Sequence, residues 1–145
     1  MEVAMLTPEQ RSRQLKAYLV KQRYVQVAYL FGSAAKGTLG PLSDVDVAVL
    51  LNSPPENWHE NKMNLMEGLV WLFGVPKVDV IILNNADPVL SHKVILEGEP
   101  IFVRDDIAKF RQEKKILDNY LDTGFLRKVQ RDAIKEHIEE GGYFG

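Results

Sequence analysis

The chain has 145 residues, 46% of them hydrophobic and 26% charged, with a formal net charge of −2. That is the size of one ordinary domain with a substantial core, and the composition excludes intrinsic disorder and fibrous repeats. The lack of cysteine removes disulfide scaffolds, thiol nucleophiles and cysteine-ligated zinc. The near-neutral balance speaks against affinity for a nucleic-acid backbone, so no direct nucleic-acid contact is expected. The first residues lack a cationic-then-apolar leader, and no apolar run approaches the roughly 18 residues of a membrane span. The expectation is a soluble, cytoplasmic chain forming a single domain over 1–145.

Thr7-Pro8-Glu9-Gln10 reads as a helix start, with Thr7 as cap, Pro8 at the first helical position and Gln10 closing a capping box. Leu15, Tyr18 and Leu19 recur at helical spacing, which predicts a helix from about Pro8 to Gln22. Tyr24 to Phe31 is rich in aromatic and β-branched residues and ends at Gly32, the pattern of a strand central in its sheet. A short helix is expected in Gly32 to Gly37, before the Gly40-Pro41 turn. Asp44 to Leu51 reads as a second strand. Trp58, Lys62, Leu65, Met66, Leu69 and Phe73 trace a helical stripe ending at Gly74.

Lys77 to Leu83 is a third strand, Pro88 to Glu97 a helix, and Pro100 to Val103 a short strand after Gly98. From Asp105 to Glu140 the chain is helical and highly charged. Ile107, Phe110, Leu117 and Leu121 form one apolar stripe; Leu126, Val129, Ala133 and Ile134 form another, with Gly124 expected to separate the two helices. The fold class is α/β (α+β): a small mixed sheet flanked by helices, with further helices at the C-terminal end.

Asp44 and Asp46 sit two apart in an apolar strand. Their carboxylates therefore project from one face, while Val45, Val47 and Val49 project from the other. Two carboxylates about 6 Å apart in a partly dry site repel by a few kcal/mol at an effective dielectric near 20, and a proton or a cation relieves them. Asp79 repeats the pattern in the third strand. If the two strands are neighbours, three carboxylates converge on a hard, all-oxygen site suited to Mg²⁺ or Mn²⁺. Gly32-Ser33, at a strand-to-helix junction, supplies free N–H groups and a small hydroxyl, which together make a phosphate seat. A phosphate seat facing a magnesium site suggests a nucleoside triphosphate.

Gly32-Ser33, ten intervening residues, then Asp44-Val45-Asp46 resembles the Gly-Ser-x10-Asp-x-Asp signature of the DNA polymerase β-like nucleotidyltransferase superfamily. The short chain is most similar to the minimal nucleotidyltransferase (MNT) antitoxins, partners of HEPN-domain toxins. The resemblance spans a nucleotidyltransferase core at 24–103 and leaves 105–140 as a C-terminal helical segment. It implies that Asp44, Asp46 and Asp79 are catalytic and metal-binding, with Asp79 accepting the proton of the attacking hydroxyl. It further implies that Gly32, Ser33 and Lys36 bind the nucleotide. Lys36 stands where the family usually has arginine, which keeps the charge but loses the bidentate fork. The implied activity is Mg²⁺-dependent transfer of AMP from ATP to a tyrosine of a cognate HEPN toxin, silencing its RNase, in a homo- or hetero-oligomer.

Two alternatives carry different signatures. A non-catalytic antitoxin that only occludes its toxin has no need to assemble repelling carboxylates. Transfer to a small molecule generally goes with a larger accessory domain. Gly32-Ser-Ala-Ala-Lys-Gly37-Thr38 lacks the Gly-Lys-Ser/Thr ending of a P-loop, and Ser33 lacks the context of a hydrolase nucleophile. His59, His92 and His137 fit no metal spacing and read as surface or helix-packing residues.

Overall fold

A computed structural model describes residues 8–32 and 45–139. The elements in chain order are α1 (Pro8–Lys21), β1 (Val25–Phe31), β2 (Val45–Leu51), α2 (Trp58–Phe73), β3 (Val78–Ile82), α3 (Pro88–Glu97), β4 (Glu99–Val103), α4 (Asp106–Tyr120) and α5 (Thr123–Glu139). Short 3₁₀ turns at Pro55–Asn57 and Leu83–Asn85 precede α2 and follow β3. The expected capping box at Thr7 and the expected helix after Gly32 lie outside the described residues.

The four strands form one mixed sheet in the order β3-β2-β1-β4. β1 runs antiparallel to both of its neighbours, while β2 and β3, joined through α2, are parallel. β1 is interior, and it reads as a nearly continuous apolar run because both of its faces are covered. On one face Val25 and Ala28 join Val45, Val47, Val49, Val78 and Val80 beneath Leu15 and Leu19 of α1 and Leu65, Leu69 and Phe73 of α2. On the other face Val27, Tyr29, Ala48 and Leu50 pack with Leu83 and with Val94 of α3.

Local chemistry sets the helix ends. Asp87 caps α3 by accepting from Leu90 N at 2.9 Å, with Pro88 at the first helical position. Gly74 closes α2 in the left-handed conformation, φ 63°, its N–H on the Val70 carbonyl. Asn84 extends the sheet with a side chain: its amide donates to Leu51 O and accepts from Leu51 N, both at 2.8 Å. Arg104 holds the carbonyl end of α1 and the start of β1. Its guanidinium donates to Leu19, Val20, Gln22 and Val25 carbonyls at 2.9–3.2 Å.

The last two helices correct one expectation and fix the facing of an apolar stripe. The break between them falls at Leu121–Asp122, not at Gly124. Asp122 Oδ1 accepts from Gly124 N at 2.8 Å, so the glycine lies in the first turn of α5. The stripe Ile107, Phe110, Leu117 and Leu121 does not face the sheet; Ile107 and Phe110 are 63% and 68% exposed. α4 instead buries Ile116, stacks Tyr120 on His92 of α3 (centroids 3.8 Å apart), and reaches β1 through Glu113, which accepts from the Tyr29 hydroxyl at 2.9 Å. Among the described residues, no helix is long and apolar enough to cross a membrane.

Candidate active site

The parallel pairing of β2 and β3 aligns Val45 with Val78, Asp46 with Asp79, and Val47 with Val80. Because side chains alternate, Val45, Val47, Val78 and Val80 enter the core beneath α1 and α2. Asp46 and Asp79 are thereby turned to the opposite face. Adjacent strands lie about 4.8 Å apart, so the two carboxylates are near neighbours. At an effective dielectric near 20 and about 5 Å, they repel by roughly 3 kcal/mol before solvent screening is discounted. On its other side Asp46 is aligned with Phe31 of the antiparallel strand β1.

Lys77, two residues before Asp79 and on the same face of β3, places Nζ 3.6 Å from Asp79 Oδ1. With the two side chains 58% and 42% exposed, such a pair is worth at most about 1 kcal/mol. The repulsion is screened in the same way, and Lys77 sets one positive charge beside the two negative ones. Lys77 is the neighbour that sequence reasoning passed over. The same period of two that pairs Asp44 with Asp46 also pairs Lys77 with Asp79.

Gly32 follows Phe31 directly, so the chain leaves β1 level with Asp46. It does so at φ +75°, a conformation that only glycine adopts without strain. A Cβ at this position would lie 2.6 Å from Asp46 Oδ2. The backbone at the end of β1 thus lies directly against the carboxylate, a cradle that any side chain would fill. Of the expected site residues, the structure brings together Gly32, Asp46 and Asp79. Ser33, Lys36 and Asp44 lie outside the described residues.

The donor set fits a hard divalent cation: carboxylate oxygens in register on neighbouring strands. Among the described residues, no three histidine or acidic side chains gather at one point; Asp46 and Asp79 are the two carboxylates that meet here. Deeper on this face, Tyr29, Glu113 and Lys109 form a chain of contacts at 2.9 and 3.0 Å. Burial first, and then the Glu113 hydrogen bond and charge, push the Tyr29 phenol well above its ordinary pKa. It is a fixed hydrogen-bond donor, not a base.

The sequence profile of the family described as Polymerase beta, Nucleotidyltransferase matches residues 13–107. The chain is similar to the protein adenylyltransferase MntA of Aphanizomenon flos-aquae (strain 2012/KM1/D3), with 25% identity over 133 residues, covering 86% of this chain and 87% of that protein. Among solved structures, it is similar to a toxin-antitoxin complex with AMP-PNP at TM-score 0.66 and 24% identity, over 88% of this chain and 98% of the other. It is also similar to a chain from the tri-AMPylated Shewanella oneidensis HEPN toxin in complex with MNT antitoxin. There the TM-score is 0.65 and the identity 21%, over 92% of this chain and 99% of that one. The structural likenesses extend the match in fold beyond the profile into the C-terminal helices.

Proposed function

The chain belongs to the polymerase β nucleotidyltransferase family, and on that footing we propose that it is an antitoxin that transfers AMP from ATP to a tyrosine of a HEPN-domain toxin. The observation that carries this reading is the alignment of Asp46 with Asp79, with the Gly32 backbone pressed against Asp46. A protein that only binds has no use for two like charges held side by side at the end of a sheet. The likeness to an adenylyltransferase and to toxin-antitoxin complexes, one of them with an ATP analogue and one with an AMPylated toxin, supports the choice of nucleotide and acceptor.

In this reading Asp44, Asp46 and Asp79 would hold Mg²⁺, which when bound would supply positive charge to the triphosphate and to the oxygens that gain charge in the transfer. Gly32 lets the backbone lie close against Asp46, and with Ser33 and Lys36 it forms the phosphate seat. The acceptor hydroxyl oxygen forms a bond to the α-phosphorus, the bond from that phosphorus to the β-phosphate oxygen breaks, and pyrophosphate leaves. Asp79, on β3 at the edge of the described sheet, takes the hydroxyl proton. Phe31 and the Tyr29–Glu113 contact give the site a rigid, partly apolar floor, so the carboxylates are oriented before substrate arrives.

The outward apolar stripes of α4 and α5 support a role for these helices in holding the partner, since neither stripe is covered by the described residues. The test is incubation with labelled ATP, Mg²⁺ and the cognate HEPN-domain protein, followed by intact mass. Addition of whole AMP units to a tyrosine of the partner, abolished by chelation of the divalent ion, is the expected result. Tight association without any mass change would overturn transfer in favour of occlusion.

A further inference from the structure

Lys77 is anchored by its main chain at the mouth of the strands that carry Asp46 and Asp79. Its carbonyl accepts from Val45 N at 3.3 Å, one step ahead of the register that sets Val45 level with Val78 and Asp46 level with Asp79. From there Nζ comes to 3.6 Å from Asp79 Oδ1. The pair differs in kind from Lys114–Asp118, an i,i+4 contact on the face of one helix. It sets a cation against a carboxylate that the site needs for another purpose.

The sheet order places β2 between β3 and β1. Gly32 therefore borders Asp46 from the β1 side, whereas Lys77 approaches from the β3 side, two strand spacings or about 10 Å away. Its charge is directed at Asp79, not at the turn that carries Gly32. The contact is also a loose one. Charge-assisted N–H···O bonds run at about 2.7–2.9 Å; at 3.6 Å, with both side chains exposed, the ammonium is held by charge alone. Lysine suits such a place, being a compact hydrated charge on a flexible stem, where arginine would grip the carboxylate with a planar fork.

We infer that Lys77 is an exchangeable counter-cation of the divalent site: it holds the Asp79 carboxylate before loading, yields it to Mg²⁺, and so sets the concentration of divalent ion that the site requires. The inference rests on the reading of Asp46 and Asp79 as ligands of a divalent cation. Mg²⁺ takes carboxylate oxygens directly, so the ion and the ammonium contend for Asp79. Swinging Lys77 out into water relieves the two like charges at little cost, since the contact given up is longer than a hydrogen bond. Removing a unit charge several ångströms from a divalent ion, in an exposed and salt-screened site, is worth about three- to tenfold in the ion's affinity. Lys77 acts through Asp79: it is a positioning residue and takes no part in the bond changes at phosphorus.

Titration of Mg²⁺ into the full chain by calorimetry, with and without a non-hydrolysable ATP analogue, tests the inference beside melting curves of the same samples. Lys77→Met, which keeps the length and removes the charge, should bind Mg²⁺ about three- to tenfold more tightly than the wild type. It should melt at or below the wild-type temperature in chelator and at or above it in saturating Mg²⁺, because tighter binding to the folded state raises Tm. Lys77→Arg, able to grip the carboxylate with two parallel N–H bonds, should bind Mg²⁺ no more tightly than the wild type. Equal Mg²⁺ affinity in Lys77→Met and the wild type would overturn the inference and leave the divalent site standing. A lower Tm at both extremes would make the pair a structural contact, and weaker binding of the Mg²⁺–analogue complex would make Lys77 a triphosphate ligand; either result overturns the exchange. A wild-type chain that takes up no Mg²⁺ under either condition would overturn the divalent reading of the site, and the role of Lys77 with it.

Discussion

Replacing Gly32 with alanine loads two separate penalties on one position. The first is conformational: at φ +75° an L-residue sits in left-handed space, which costs about 1–2 kcal/mol. The second is steric: the new methyl would meet Asp46 Oδ2 at 2.6 Å, whereas ordinary contacts begin at 3.4 Å. The carboxylate must therefore retreat by the better part of an ångström, and a misplacement of about 1 Å can cost roughly a hundredfold in rate. We expect Gly32→Ala to lose about two orders of magnitude in AMP transfer and to melt a few degrees lower, since about 1 kcal/mol moves Tm by roughly 2–8 °C in domains from 60 to 250 residues. The assay is initial-rate transfer from labelled ATP beside thermal melting of the same samples. A lower Tm with transfer intact would show that the glycine serves the turn alone. Wild-type transfer at an unchanged Tm would refute both penalties.

Asp46→Asn should abolish transfer while the divalent-free protein melts at or slightly above the wild-type temperature, because a repulsion with Asp79 is removed; a clear fall in Tm would count against that repulsion. Asp79→Ala should retain measurable Mg-ATP affinity by calorimetry while turnover falls about 10²–10⁴-fold; loss of ATP binding with the residual rate intact at saturation would make its role ligand placement. Tyr24 is pushed up to about 12 by burial and then by Tyr18, and Tyr29 higher still. Raised folded-state values mean that the stability these phenols lend is complete below pH 10 and declines as pH rises through 10 to about 12 and beyond. Melting curves across that window should therefore fall less steeply for Tyr24→Phe and Tyr29→Phe than for the wild type, and parallel curves would contradict the assignment. Lys114→Glu with Lys115→Glu, on the polar side of α4, should weaken partner association more at low salt than at high and leave ATP binding alone; unchanged affinity at both salt concentrations would remove α4 from the docking surface.

Elements whose boundaries rest on local chemistry were readable without the structure. α3 begins and ends where Asp87, Pro88 and Gly98 say it should, and Gly74 ends α2. The central position of β1 was legible because Gln26 is the one polar residue in the run Val25–Phe31. What depends on pairing between strands was less so. Asp79 level with Asp46, and Phe31 level with Asp46 on its other side, follow from register, which no single segment carries. In α4 the period of the apolar residues announces a helix but does not choose its inward face. Tertiary packing selects Ile116 and Tyr120 and leaves Leu117 and Leu121 outside. At the α4–α5 junction an acid at the cap position outweighs a nearby glycine, so Asp122 was the better signal than Gly124. For Ser33, Lys36 and Asp44 the argument remains that of motif spacing.

Arg104 joins segments 79 to 85 residues apart in the chain. The carbonyls at the end of α1 share this one side chain in addition to local partners such as Gln22 N on Leu19 O and Val25 N on Gln22 O, so the last contacts of this helix form only when residue 104 has been synthesised and folded back. During synthesis, at roughly 5–20 residues per second, α1 and the strand after it must wait several seconds for their closing contact. Folding is thereby biased away from a stepwise order and toward a single late event, the slow regime expected when long-range contacts govern the barrier. A chain released before β4 would have the strands that bear Asp46 and Asp79 but no fastened N-terminal helix over their apolar face, a truncated species open to proteolysis.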